Sequence, residues 1–134
     1  IQELANYEKL SHQVAAMEEK LKDSLFSADS VAHVLIATYG KTQAGFTVYF
    51  FNYSTFLAQP GLYLEDLYVR PDLRGKGIGR ALLVEVARLA RKHNCRRMEW
   101  AVLDWNEPAI RFYQELGATA LEEWTFFQLT DSAL

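Results

Sequence analysis

Val69-Arg-Pro-Asp-Leu-Arg-Gly-Lys-Gly-Ile-Gly-Arg-Ala-Leu-Leu83 (VRPDLRGKGIGRALL) sets three glycines, three arginines and a lysine between two apolar stretches. Ahead of it, Leu62 to Val69 (LYLEDLYV) reads as a strand that ends at Pro71, because proline supplies no ladder donor. Behind it, Ile78, Leu82, Val86, Leu89 and His93 recur at helical spacing, with Arg88, Arg91 and Lys92 on the other side. A strand running through glycines into a helix is an anion trap. The first N–H groups of the helix have no helical acceptor, and the positive end of the helix dipole stands behind them. The spacing excludes a Walker loop, since Gly75-Lys76 is followed by Gly77 and not by Ser or Thr. A G-x-G-x-x-G dinucleotide fingerprint fails as well, because Arg80 stands where its last glycine belongs. What remains is R-x-x-G-x-G: Arg74, Gly77 and Gly79.

Working outward, Gln2 to Leu25 reads as two helices interrupted around Tyr7 to His12, closed by Ser27-Ala-Asp-Ser30. Val31 to Tyr39 and Gly45 to Tyr53 are β-rich and flank the turn-like Gly40-Lys-Thr-Gln43, which predicts a hairpin. Gln59-Pro-Gly61 is expected to turn the chain before the Leu62 strand. Met98 to Trp105 reads as a further strand. Asn106 is a good helix N-cap, Pro108 fits a first helical turn, and Gly117 is a natural stop. Trp124 to Leu129 reads as a last strand. The order implies an α/β fold with a mixed, mostly antiparallel sheet flanked by helices.

With 134 residues, half of them apolar, the chain suits one core, so residues 1–134 read as one domain. The net charge of -3, with both signs spread along the chain, gives no basic stripe for a nucleic acid. Cys95 is alone, so no internal disulfide and no Cys-rich metal site is expected; a reducing, cytoplasmic setting follows. Apolar runs such as Thr47 to Phe51 fall far short of a membrane span. His12, His33 and His93 are scattered and read as structural or exposed, with no metal expected, and Cys95 at a helix end is no nucleophile. Trp100, Trp105 and Trp124 are expected to pack the core, although one of them could wall a cation pocket.

The Arg74 to Arg80 loop resembles the acyl-CoA signature of the GNAT superfamily of N-acetyltransferases. Four further segments are similar to its spermidine/spermine and thialysine acetyltransferase branch: Glu3-Leu-Ala-Asn-Tyr-Glu8, Leu62-Tyr-Leu-Glu-Asp66, Trp105-Asn-Glu-Pro108, and Phe112-Tyr113 with Gly117. The resemblance implies a GNAT fold, acetyl-CoA as cosubstrate, and direct transfer to a small primary amine such as a polyamine or thialysine. It implies that the main chain at Leu67, Tyr68 and Val69 pairs with the pantetheine arm. Arg74, Gly75, Lys76, Gly77, Ile78, Gly79 and Arg80 would hold the diphosphate, and Asn106, Glu107, Pro108 and Ala109 would line the CoA side. Tyr113 would be the general acid, and Tyr7, Glu8, Glu65 and one of Glu122 or Glu123 would line the amine pocket. The branch opens with a strand that this chain lacks, and the segment from Gly117 to Trp124 is shorter than in the animal enzymes. The resemblance also suggests a homodimer in which the late strand region meets its mate.

The chemistry is consistent on its own terms. A lysine-like amine has a pKa of about 10.4, so deprotonating it at neutral pH costs roughly 4 to 5 kcal/mol and needs a proton acceptor. Glu65 and Asp66 are adjacent, and strand alternation would put them on opposite faces, so only one serves a given pocket. Glu65 is expected to be that base; the competing reading puts both on a solvated face. A phenol of pKa about 10 can protonate a departing thiolate of pKa about 8.5, which suits Tyr113. Tyr113 also lies on a stripe with Ala109, Phe112 and Leu116, so a packing role competes with the catalytic one. Free N–H groups around Leu67 to Val69 suit charge developing on the acyl oxygen. An acyl-CoA sensor and a protein or peptide N-acetyltransferase are the alternatives.

Overall fold

The computed structural model describes residues 1–133. It falls into two compact units, Ile1–Ala101 and Val102–Leu134, each taken by itself below. The first holds a four-stranded sheet in the order β1 (His33–Tyr39), β2 (Thr42–Ser54), β3 (Gln59–Val69), β4 (Met98–Glu99). β1, β2 and β3 pair antiparallel, and β3 pairs with β4 in parallel. The helices are α1 (Gln2–Tyr7), α2 (Glu18–Phe26) and α3 (Ile78–Lys92).

The predicted break in the first helix is real: α1 ends at Tyr7, Lys9 has φ +62°, and a single 3-10 turn at Ser11–Gln13 follows. The first hairpin is tighter than predicted. Tyr39 pairs with Thr42, so Gly40 (φ +62°) and Lys41 make the whole turn. The second turn lies earlier than expected, with Ala58 at φ +49°, and Gln59, Pro60 and Gly61 belong to β3. Proline is tolerated there for a geometric reason. Leu62 N–H donates to Arg97 O at 3.0 Å, so residues of its parity turn their main-chain groups toward β4. Pro60 shares that parity; its carbonyl accepts Arg96 N–H at 3.2 Å, and its missing donor removes nothing from the β2 ladder.

A bulge in β3 decides which side chains meet. Leu64 pairs with Tyr49 and Asp66 with the adjacent Val48, so Glu65 is an extra residue without a partner on β2. The alternation therefore flips. Leu62 and Leu64 before the bulge, and Leu67 and Val69 after it, all fall on the face that α3 covers. Tyr63, Asp66 and Tyr68 fall on the opposite face with Phe46, Val48 and Phe50. α3 buries Ile78, Leu82, Leu83, Val86 and Ala90, and Ala44, Ile78 and Leu82 form a cluster with Leu35, Ala37, Leu67, Val69 and Leu73 against it. Asn94 (φ +57°) ends α3, with Cys95 N–H on Ala90 O at 2.8 Å and Asn94 N–H on Arg91 O at 3.1 Å. Burial raises the Cys95 thiol above its ordinary pKa, which keeps it from acting as a thiolate. His33 and His93 are not isolated; their rings lie 5.8 and 4.7 Å from that of Phe51.

On the α3 side Thr47 is fully buried, and its hydroxyl has no partner among the described residues. Thr47→Val, which replaces an unpaired buried hydroxyl with a methyl of the same shape, is expected to stabilise the chain by about 1 kcal/mol. Thermal unfolding reads this as a rise in Tm of a few degrees; an unchanged or lower Tm would mean the hydroxyl is satisfied.

The strand expected over Met98 to Trp105 shrinks to Met98–Glu99, since the ladder with β3 holds only Leu62 with Met98 and Tyr63 with Glu99. In the second unit α4 (Glu107–Glu115) forms as expected. The strand expected over Trp124 to Leu129 does not: a strand exists only where a neighbour supplies ladder bonds, and none of the described residues does so there. Trp105 and Trp124 are exposed and not core residues as expected; Trp100 is half-buried.

Candidate active site

β3 is where the site begins. Among the described residues, it has after Tyr63 a strand neighbour only on the β2 side. Counted through the bulge, Leu67 and Val69 turn their N–H and C=O groups to the other, open edge, while Tyr68 pairs toward Phe46. Val69 O on that edge accepts the Arg74 Nε–H at 2.8 Å. Of the three residues expected to pair with an extended ligand, two therefore present main chain for it.

Beyond β3 a 3-10 turn at Pro71–Leu73 leads into the glycine loop. Gly75 (φ +74°) and Gly77 (φ +80°) occupy the left-handed region, which disfavours residues with a Cβ, and Gly77 caps α3. A Cβ at either would meet nothing within 4 Å, so the loop faces open space. Ala81 N–H bonds Gly77 O at 2.9 Å as the first closed turn of α3. Among the described residues no acceptor meets the amides of Gly75, Lys76, Gly77, Ile78, Gly79 or Arg80. Clustered donors at the dipole's positive end, with room in front of them, fit a diphosphate. Two basic side chains lean away: Lys76 Nζ lies 5.5 Å over the Tyr39 ring, and Arg74 stacks on Tyr7 and Tyr68.

The α1 face of the sheet carries the carboxylates. Burial raises the Asp66 carboxyl to about 6, with the charges of Glu65 and Glu8 adding to it. Glu8, half-buried at the end of α1, is raised by burial alone. Glu65 is exposed on the bulge, and its charge also raises the Tyr63 phenol behind burial as the main cause. Three carboxyl groups thus act on one region of the α1 face, and the bulge replaces the plain alternation that would have separated Glu65 from Asp66. Asp66 is the group that sequence reasoning passed over. No periodicity marks the extra residue that carries it inward.

The second unit places Asn106, Glu107, Pro108 and Ala109 at the start of α4. The buried Asn106 side chain accepts from Ala109 N–H at 3.4 Å, and Pro108 sits in the first turn. Tyr113 is half-buried, with its ring 5.2 Å from that of Phe112. Its carbonyl accepts Ala118 N–H at 3.0 Å and Gly117 N–H bonds Gln114 O at 2.9 Å, so Gly117 (φ +90°) closes the helix around Tyr113. Glu122 and Glu123 are both exposed in an irregular stretch.

An open-edged strand that runs into an amide-lined loop and a helix fits an acyltransferase of the N-acetyltransferase type. The chain belongs to the acetyltransferase (GNAT) family, which it matches over residues 1–118. It is 39% identical to a thialysine N-epsilon-acetyltransferase of Mus musculus, over all of this chain and 85% of that protein. It is 47% identical to an L-ornithine N5-acetyltransferase of Arabidopsis thaliana over 68% of this chain and 40% of that one. Among solved structures, an integron cassette protein from the V. cholerae mobile metagenome superposes with a TM-score of 0.81 at 30% identity, covering 98% of this chain and 82% of that chain.

Proposed function

We propose that the chain moves the acetyl group of acetyl-CoA directly to the primary amine of a small molecule such as thialysine, ornithine or a polyamine. Residues 1–134 would act as one cytoplasmic catalytic domain. The observation that carries this is one strand serving two ends: β3 delivers Asp66 to the α1 face and runs on into donors without acceptors at Gly75 to Arg80. An acidic face suits a cationic amine, and the donor-lined loop suits a diphosphate.

Gly75 to Arg80 would hold the diphosphate through main-chain N–H groups, and the resemblance gives Asn106 to Ala109 a part in binding CoA. Leu67 and Val69 pair with the pantetheine arm. Acetyl-CoA supplies the activated thioester. Tyr7, Glu8 and Glu65 would receive the ammonium, a role the resemblance extends to one of Glu122 or Glu123. Asp66 would take one ammonium proton, with Glu65 acting through water as the alternative acceptor, so that the nitrogen attacks neutral. The Leu67 N–H would stabilise charge developing on the acyl oxygen, and Tyr113 would give a proton to the leaving sulfur, matched by the second proton that the nitrogen gives up on becoming an amide. Two of the relatives are named for the thialysine N-epsilon and the L-ornithine N5 amine, which puts side-chain amines of that class first. Thiol release measured across thialysine, ornithine, lysine, spermidine, spermine, putrescine, an aminoglycoside and a lysine peptide tests the reading. Turnover confined to the peptide would make this a protein acetyltransferase; CoA binding without any turnover would make it a sensor.

The functional form is a homodimer. Leu121, Trp124, Phe126, Phe127 and Leu129 are all exposed, Phe127 by 93%, which is the composition of a surface that a mate covers. Sedimentation at micromolar concentration is expected to show a dimer; a monomer would discard this part.

A further inference from the structure

In the R-x-x-G-x-G pattern Arg74 immediately precedes the donor-lined glycine loop, yet its side chain is engaged elsewhere. Nε donates to Val69 O at 2.8 Å, and the guanidinium carbon lies 4.6 Å from the Tyr7 ring centroid and 5.5 Å from that of Tyr68. One side chain thus joins the end of β3, helix α1 and the first residue of the glycine loop. Lysine cannot do this; arginine can, with an in-plane Nε donor for the carbonyl and a flat face for the rings.

α1 depends on such ties. It has six residues, far below the length at which a helix holds itself in water, and it buries only Ala5. A cavity of about 270 Å³ opens beside its first residues, lined by Ile1, Glu3, Phe46, Tyr68 and Arg70 among others. Among the described residues Glu3 supplies two further ties, a side-chain hydrogen bond with Tyr68 and an ion pair with Arg70 at 3.5 Å whose side chains are about half exposed, so that the ion pair contributes little.

We propose that Arg74 is a positioning residue whose side chain couples α1, with Tyr7 and Glu8, to the diphosphate loop, so that filling the loop orders the amine side. The proposal rests on the reading that the loop binds CoA. The coupling is mechanical. A ligand held by the amides from Gly75 onward fixes the backbone that follows Arg74. The guanidinium then passes that restraint to Tyr7, and α1 loses conformational freedom before an amine arrives.

Hydrogen exchange over residues 2–8 tests it, with CoA saturation verified by calorimetry for each protein. In the free chain, Arg74→Lys is expected to speed α1 exchange about 3- to 10-fold. Saturating CoA is expected to slow α1 exchange in the wild type and to leave it unchanged in Arg74→Lys. Tyr7→Leu, which leaves the loop sequence intact, should lose the same CoA-linked protection. If Arg74→Lys at saturation keeps wild-type protection, or its free form exchanges like the wild type, Arg74 is not the coupling and the inference falls alone. A wild-type chain that takes up no CoA overturns both this inference and the functional reading beneath it.

Discussion

Tyr113→Phe is expected to lower kcat by about 10²- to 10⁴-fold, the usual contribution of a placed proton donor, while Kd for CoA stays within about twofold. The substitution removes one oxygen and keeps the ring. The half-buried face of α4 stays filled, the ring contact with Phe112 survives, and the bonds that close the helix on Tyr113 O and Gln114 O involve main chain only. A fall in turnover with unchanged Tm and unchanged CoA binding therefore reports chemistry and not folding. A kcat within twofold of the wild type would remove Tyr113 from the acid role and leave it as a packing residue of α4.

Asp66→Asn is expected to act in opposite directions on rate and on stability. As the proton acceptor, Asp66 should be worth about 10²- to 10³-fold in kcat/KM at neutral pH. Its carboxyl titrates near 6, so kcat/KM in the wild type should rise through that pH and level off above it, and the Asn variant should lose this acid limb. Stability runs the other way. The folded state holds the Asp66 proton more tightly than the unfolded chain, whose carboxyl titrates near 3.8. Folding therefore loses stability as pH climbs from about 4 to about 6 and carries the full cost above it. Asn cannot ionise, so the variant should be more stable than the wild type at pH 8 by about 1 kcal/mol, after allowance for solvent reaching the carboxyl, and gain little at pH 4. Urea titrations at the two pH values read this difference directly. Glu65→Gln is the companion arm: loss of the acid limb there and not in Asp66→Asn would move the base to Glu65.

The glycine loop and its helix were legible because spacing alone separates R-x-x-G-x-G from the other phosphate loops, and because φ above zero at Gly75 and Gly77 is something glycine supplies. Asn106 and Gly117 were legible for the same reason: caps are local chemistry, written in one or two residues. What failed was non-local. Trp124 to Leu129 has strand composition, but pairing needs a partner, which composition does not name. Pro60 looked like a turn because its harmlessness depends on which edge its nitrogen faces, and only the parity of Leu62 against Arg97 shows that. The carboxylates illustrate the same limit. Plain alternation splits Glu65 from Asp66, whereas an unpaired residue in β3 brings their charges to bear on one face.

That unpaired residue behaves like a frameshift written in three dimensions. Excising Glu65 would restore the regular frame: Leu64 opposite Tyr49 would be followed directly by Asp66 opposite Val48, with Leu67 and Val69 still under α3 and Asp66 and Tyr68 still on the other face. Both substitution and removal of residue 65 are thus open to natural drift and to the engineer, and a protein library that samples its deletion should return folded survivors that have lost only the bulge and its carboxylate.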